Sequence, residues 1–580
     1  MADQVSRYGK PEKTCDIVMK GGITSGVVYP LALAALAEKY RFSNIGGTSA
    51  GAIAAAAAAA AEYGRHTPGG GFDRLAKIPN EVGPGLLSMF QPAPPLKPLF
   101  NIFIAALKSG SGRRFAMIWS AIRGYWLSAL FGLAPGVAVV AAAWWYGNGI
   151  GFMAFGALLA FIGLVVVIVR RLLRAAQVEL PASDFGLCPG ISQPYSSSEG
   201  FTDWLARLIN EAAGRTTTDE PLTFGDLSAK HDGRPAIRLA MVTTSLMEQR
   251  PYTLPFPESD HRFVFAKSEW ARIFPRWIME FLTRKCTPLE EQAEGSVEYY
   301  YFPDPTRLPL IVGARMSLSF PFLISAVPLW RRDFTLVDAA EQQKLRRCLF
   351  SDGGLSSNFP IHFFDRLLPN NPTFAISLDD YYEKRSQGRP PVWLPKSARS
   401  GILLPVQPID GLSGFAMRLV MSAKDWQDNM QSTLPGYRER IAHVVLKPEQ
   451  GGLNLTMDEA TIRQLVQFGE QAGEKLRDEF DLDAHRWRRF LVAMARMEET
   501  LDDVEQAHQD LPDGSEGFAR FLARYGAVAT SYKQDPPRLA EMIKRAAELA
   551  ACGENWRAKP TIREGTLPKP GANLRITPKY

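Results

Sequence analysis

Histidine and cysteine are scarce in this chain, seven and five residues among 580. The histidines, at His66, His231, His261, His362, His443, His485 and His508, are scattered, and no histidine, cysteine or acidic cluster stands at metal-ligand spacing. Neither a resident metal nor a cofactor is expected. Cys15, Cys188, Cys286, Cys348 and Cys552 are odd in number and far apart, which suits free thiols in a reducing compartment. The polar start, Met1 to Lys13, lacks the apolar core of a signal peptide. Net charge is only +6, no aromatic-and-basic motif of an RNA or DNA reader is present, and no internal repeat stands out, so nucleic acid is not an expected partner.

Charge is missing altogether from Gly124 to Val169. One spanning helix needs roughly 20 apolar residues, and this run is close to what two would use. Gly147-Asn148-Gly149 divides it into Tyr125–Tyr146, which contains Pro135, and Ile150–Val169. Aromatic residues Tyr125, Trp126, Trp144, Trp145 and Tyr146 stand at the ends of the first half, where an interfacial belt falls. Arg113, Arg114 and Arg123 precede the run and Arg170, Arg171 and Arg174 follow it. The positive-inside rule then puts both ends in the cytoplasm and the turn across the membrane, a bacterial inner membrane being the natural setting. Buried core helices and a shallow re-entrant insertion are the alternatives. Gly132 and Gly136 form a Gly-x-x-x-Gly step, a weak sign of helix dimerisation.

Over the whole chain, 46% hydrophobic and 22% charged residues are the composition of a globular protein. Gly47-Thr48-Ser49-Ala50-Gly51 has the form of a nucleophile elbow, in which Gly47 and Gly51 permit a sharp strand-to-helix turn with Ser49 at its apex. The context fits: Phe42–Ile45 reads as a buried strand, and Ile53 followed by alanine from Ala54 to Ala61 reads as a helix able to lie close to a sheet. A tight turn with a passive serine is the plainer reading. Upstream, the strand Asp16–Met19 runs into Lys20-Gly21-Gly22-Ile23-Thr24-Ser25-Gly26, followed by a helical stretch from Val27 to Tyr40. Glycines there leave backbone N–H groups open to an anion, as an oxyanion hole requires. A dinucleotide-type phosphate loop fits Gly-Gly-x-x-x-Gly poorly, and no Gly-Lys-Ser or Gly-Lys-Thr ending is present. Far downstream, Ser351-Asp352-Gly353-Gly354 offers a carboxylate that could act as base.

In this order the three motifs resemble those of the patatin-like phospholipase family, which has a glycine-rich oxyanion loop, a Gly-x-Ser-x-Gly elbow and a late Asp-Gly-Gly or Asp-Gly-Ala. Ala314-Arg315-Met316-Ser317-Leu318-Ser319-Phe320-Pro321 is similar to the family's stretch before the aspartate. Gly451-Gly452-Leu453-Asn454-Leu455, leading into a helix, looks like the end of its domain. The resemblance runs from about Thr14 to Phe480, with one departure: Ile23 and Ser25 stand where the family has glycine and a basic residue. It implies a three-layer α/β/α sandwich, here with an inserted transmembrane helical hairpin and a helical C-terminal extension. It also implies a Ser49–Asp352 dyad, with N–H groups of Gly21, Gly22 and Ala50 holding the oxyanion and no catalytic histidine. His362, close in sequence to Asp352, is the candidate third member of a triad and reads instead as a surface or packing residue.

The expected organisation is a polar segment 1–13, a catalytic domain in two parts, 14–110 and 177–480, the hairpin 111–176 between them, and a helical extension 481–580 with a basic tail. Pro92-Ala93-Pro94-Pro95 reads as a linker toward the membrane, and Arg385–Ser400 as a loop at the site's edge. Ile237–Thr243 and Thr373–Leu378 read as further strands, and Thr243-Thr244-Ser245, at the end of a strand, as an ordinary loop rather than part of the site. Trp487–Ala507, Gly517–Tyr532 and Arg538–Ala551 read as amphipathic helices. The expected function is a membrane-anchored, cytoplasm-facing serine hydrolase acting on phospholipid or a related acyl lipid through an acyl-enzyme, with membrane lipids as both substrate and anchor. The alternatives are an esterase or acyltransferase on soluble substrates and a lipid-binding or scaffolding protein whose site has lapsed.

Overall fold

The computed structural model describes residues 7–571 apart from 23, 83–84, 108–111, 148, 230–235, 258–262, 291–296, 382–387, 396–399, 401–405, 407–408, 410, 453, 511 and 513. Its centre is an 11-stranded mixed sheet. The strands that build the site are β1 (Lys13–Met19), β2 (Tyr40–Thr48), β3 (Arg238–Ser245), β4 (Leu345–Asp352), β5 (Thr373–Asp380) and β6 (Ile441–Leu446). They lie side by side in the order β6-β5-β1-β2-β3-β4. All neighbours are parallel except β3 and β4, which are antiparallel. Val392–Trp393 extends the β6 edge, and Val327–Arg332, Val264–Ala266 and Tyr299–Tyr301 extend the other. The Arg385–Ser400 stretch thus contributes an edge strand as well as loop, because Val392 pairs with Val444; residues 385–387 and 396–399 lie outside the described residues.

Both faces of the sheet are covered, and adjacent residues of β2 show how. Successive side chains of a strand point to opposite faces. A Cβ added at Gly47 would meet the Gly51 carbonyl oxygen at 2.1 Å, on helix α2 (Ala50–Tyr63). One added at Gly46 would instead meet the rings of Phe364 and Phe363 at 3.0 and 3.2 Å. The alanines of α2 from Ala54 to Ala61 are all buried, so the smallest helix-forming side chain sets how closely this helix approaches its neighbours. At its end, Glu62 and Arg65 form a buried ion pair at 2.6 Å. Arg65 also donates to the carbonyls of Tyr8, Ala37 and Tyr40, and Glu62 accepts the Phe42 N–H, so no member of the cluster is left unpaired.

The stretch expected as one helix from Val27 to Tyr40 divides into a 3-10 turn, Thr24–Val28, and helix α1 (Tyr29–Ala37), after which the chain enters β2. Pro92–Pro95 is packed rather than a free linker: Ala93 N–H donates to Leu187 O at 2.9 Å and Leu96 is fully buried. Beyond it come the amphipathic helix α3 (Arg113–Gly124) and the apolar pair α4 (Trp126–Trp145) and α5 (Ile150–Arg174). The chain turns between α4 and α5 where expected; Asn148 lies outside the described residues. Both helices are long and apolar enough to cross a membrane, and only 28% and 11% of their apolar windows are buried, so neither is a core helix. The Gly132 and Gly136 step serves packing inside the chain. A Cβ on Gly136 would lie 2.1 Å from Ala160 N, and one on Gly132 would lie 2.6 Å from Gly163 O. Arg171 Nε donates to Ser128 Oγ at 2.9 Å, joining the two helices.

Helix α6 (Leu310–Ser317) is wholly buried beside β3, and α7 (Gly411–Thr433) lies between β5 and β6 in the chain. The C-terminal region is helical, comprising α8 (Glu459–Asp478), α9 (Leu482–His508), α10 (Phe518–Tyr525) and α11 (Pro536–Arg557). The α10 helix is shorter than the Gly517–Tyr532 expectation because it stops at Gly526. Buried Arg489 of α9 reaches the sheet domain, donating to Asp365 Oδ2 at 2.9 Å and Arg366 O at 2.6 Å.

Candidate active site

Ser49 is held in a conformation its type rarely adopts, φ 57° and ψ −129°, between the end of β2 and the first turn of α2. Such a backbone persists only where the surroundings over-determine it. Gly47 and Gly51 are what allow it: a Cβ at Gly51 would fall 2.4 Å from Met19 O, and the Gly47 clash is closer still. The turn aims the Ser49 hydroxyl toward the end of β4. There Ser49 Oγ donates to Asp352 Oδ2 at 2.7 Å, while Asp352 Oδ1 accepts the Gly354 N–H at 2.7 Å. Gly353 and Gly354 open a 3-10 turn, Gly353–Leu355, capped by the Asp352 carboxylate.

Burial raises the Asp352 pKa to about 6; the Ser49 hydroxyl, the Gly354 N–H and the positive charge of Lys424 each pull the other way. The result is a carboxylate poised near neutrality, a useful value for a group that must take and return a proton. His362 is turned elsewhere, against Phe363, Gln431 and Asp365, and burial lowers its pKa. It is a packing residue.

The glycine loop lies beside Ser49, since a Cβ on Gly21 would be 3.1 Å from Ser49 Cβ. Two of the three N–H groups expected to hold the oxyanion, however, already have acceptors. Gly21 N–H donates to Asn358 O at 2.7 Å, and Ala50 N–H donates to Gly22 O at 3.2 Å. The first N–H groups of a helix have no intrahelical acceptor, and here the Gly22 carbonyl supplies one. Gly26 sits in the following 3-10 turn, within contact of Ala50, and buried Ser25 faces Gly22; Ile23 lies outside the described residues. Behind the loop, Lys20 Nζ is 3.5 Å from Asp379 Oδ1, and Asp379 also accepts from Ser377 Oγ and bonds His443 Nδ1, each at 2.6 Å. His443 and Lys20 hold the half-buried Asp379 carboxyl far below the usual range.

Several residues that position the pair had no assigned role in the sequence reading. Ser317, on α6, accepts the Ser49 N–H at 3.2 Å. Ser319 O accepts both the Asp352 N–H at 3.0 Å and Ser351 Oγ at 2.9 Å. Thr243–Ser245 is strand, not loop, and Thr244 Oγ1 donates to Asp352 O at 2.9 Å. In the sequence, Ser317 and Ser319 are marked by the Ala314–Pro321 stretch as a block, which carries no sign of what each serine bonds. Among the described residues no group of three or more metal-ligating side chains could hold an ion.

The model of patatin-like phospholipases matches residues 17–365. The chain belongs to this family. The patatin match contains Ser49 and Asp352 and spans helices α3 to α5, but it ends before β5 and β6, which continue the same sheet. A relative in Rhizobium meliloti (strain 1021), named "RpoH suppressor", is 35% identical over 651 residues, covering 98% of this chain and 99% of its own length. Among solved structures, the chain is similar to VipD from Legionella pneumophila, with 13% identity, a TM-score of 0.31, and coverage of 94% of this chain and 85% of that one. It is also similar to ExoU in the ExoU-SpcU complex of Pseudomonas aeruginosa, with 13% identity, a TM-score of 0.24, and coverage of 95% and 76%. As a patatin-like phospholipase the protein is a lipid acyl hydrolase.

Proposed function

We propose that Ser49 and Asp352 are the catalytic pair of a membrane-anchored lipid acyl hydrolase. The observation that carries this reading is the 2.7 Å hydrogen bond from Ser49 Oγ to a buried carboxylate whose pKa lies near neutrality. Asp352 takes the hydroxyl proton as Ser49 Oγ attacks the ester carbonyl, and the N–H groups of Gly21, Gly22 and Ala50 stabilise the oxyanion. The alcohol portion leaves with the proton from Asp352, and the acyl group remains on Ser49. Water then attacks the acyl-enzyme, giving its proton to Asp352, and the fatty acid is released as Ser49 recovers its hydrogen. For the oxyanion to bind, Gly21 N–H must exchange Asn358 O, and Ala50 N–H must exchange Gly22 O, for the substrate oxygen.

The anchor in this reading is the α4–α5 hairpin, with its arginine-flanked ends on the cytoplasmic side. Residues 14–110 and 177–480 are read as one catalytic unit interrupted by 111–176, and 481–580 as a helical cap. Tethering raises the effective concentration of the site toward bilayer lipid without added affinity. The substrate is read as a phospholipid or related acyl lipid.

The acceptors already held by the Gly21 and Ala50 N–H groups favour one competing reading, a lipid-binding protein with a lapsed site. A fluorophosphonate probe separates the two: labelling of the wild type that disappears in Ser49→Ala supports the hydrolase, and a folded protein that resists labelling supports the lapsed site. Detergent-solubilised protein that cleaves short-chain esters while sparing vesicle phospholipid would assign a soluble substrate instead.

A further inference from the structure

Helix α7 (Gly411–Thr433) is amphipathic with its apolar side turned outward. Leu412, Phe415, Leu419, Trp426 and Met430 recur at i, i+3, i+7, i+14 and i+18, which places them on one narrow stripe at 3.6 residues per turn. All five are exposed, Leu412 at 84% and Trp426 at 62%, and exposed Ala416 and Ala423 fall beside them. The stripe contains no charged residue.

The opposite side of the same helix belongs to the candidate site. Asp428 is buried there and accepts three hydrogen bonds from the loop that follows Asp352: Asn358 N–H at 2.6 Å, Phe359 N–H at 2.8 Å and Ser357 Oγ at 3.3 Å. Asn358 in turn accepts the Gly21 N–H. Lys424, near Asp428 on this side, is close enough for its charge to favour ionised Asp352. One helix therefore presents an apolar stripe outward and holds the loops around Ser49 with its inner side.

We propose that α7 is a lipid-docking helix, its stripe seated on the bilayer surface that supplies substrate and its Asp428 side holding the Ser357–Phe359 loop at the mouth of the site. The inference takes from the proposed function that the substrate lies in a bilayer and that the α4–α5 hairpin anchors the chain there. A lipid surface is the occupant because the chain already presents two others of the same kind. The α4–α5 hairpin exposes membrane-length apolar helices, and α3 exposes Phe115, Ile118 and Trp119 behind Arg113 and Arg114. Because the stripe is uncharged, docking through it is insensitive to salt and to headgroup charge.

The test uses the full chain reconstituted in phosphatidylcholine vesicles, with and without brominated acyl chains. The Trp426→Phe variant isolates the emission of Trp426 by difference. The expected difference spectrum is blue-shifted and loses at least about half its intensity to the bromines, as for an indole in the interface. A water-like, unquenched difference spectrum overturns the proposal. In parallel, the triple variant Leu412→Ser, Phe415→Ser, Leu419→Ser is expected to lower the ratio of vesicle-lipid to short-chain-ester hydrolysis about tenfold. Equal losses on both substrates, or a dimer of the solubilised wild type that the triple variant splits, count against lipid docking. A wild type that hydrolyses neither substrate removes the proposed function, while the quenching experiment still decides the role of α7.

Discussion

Ser49 Oγ and Asp352 Oδ2 are 2.7 Å apart although 303 residues separate them in the chain. Their meeting depends on β3, which pairs in parallel with β2 on one side and antiparallel with β4 on the other. The C-terminal end of β2 carries the elbow, and Asp352 lies opposite Thr243 in the β3–β4 ladder. If this contact is the catalytic one, Asp352→Asn keeps the shape and loses the base. The expected outcome is a fall in kcat of roughly 10³-fold or more with little change in KM, measured by steady-state lipid hydrolysis.

In the proposed mechanism the raised pKa of Asp352 sets the pH profile. The base works as carboxylate, so kcat/KM should rise with pH through an apparent pKa of about 6 and then level off. Lys424→Met removes a positive charge that favours the ionised form and should move this limb to higher pH. An unmoved limb would show that Lys424 does not act on the group that titrates.

Asp352 also carries a stability cost. A carboxyl whose folded pKa lies above its unfolded value of about 3.8 stabilises the fold when protonated, and that contribution is lost as pH rises through about 6. Asn has no charge to desolvate. Asp352→Asn should therefore be more stable than wild type at pH 8 by on the order of 2 kcal/mol, with the difference vanishing by about pH 3, as read by denaturant unfolding at the two pH values.

Thr244 holds the backbone of Asp352 by one buried hydrogen bond to its carbonyl. Thr244→Val preserves the shape and deletes that donor, with an expected loss of about 1–3 kcal/mol of stability. Fluorophosphonate labelling of Ser49 should slow but persist.

Gly136 lies where α4 and α5 nearly touch. Gly136→Val forces the helices apart, and the expected consequence is a lower melting temperature of the detergent-solubilised protein. If the glycine step instead joined two chains, the same variant would change the oligomeric state.

What could be read along the chain was what neighbouring residues decide among themselves. The elbow is of this kind: glycines at 47 and 51 around Ser49, a strand before and alanines after, all within the few residues whose sterics set the turn. The hairpin is another, because length and the absence of charge are local properties, and so is the aspartate, marked by the glycines after it. Partners brought together by the sheet left no comparable signal. Ser317 accepting the Ser49 N–H, Asp428 on a distant helix holding Asn358 and Phe359, and the Gly22 carbonyl occupying the Ala50 N–H each depend on where separate segments meet. A polar side chain records in sequence that it can bond, not with what; only burial in the folded chain, where an unpaired donor or acceptor is costly, selects the partner.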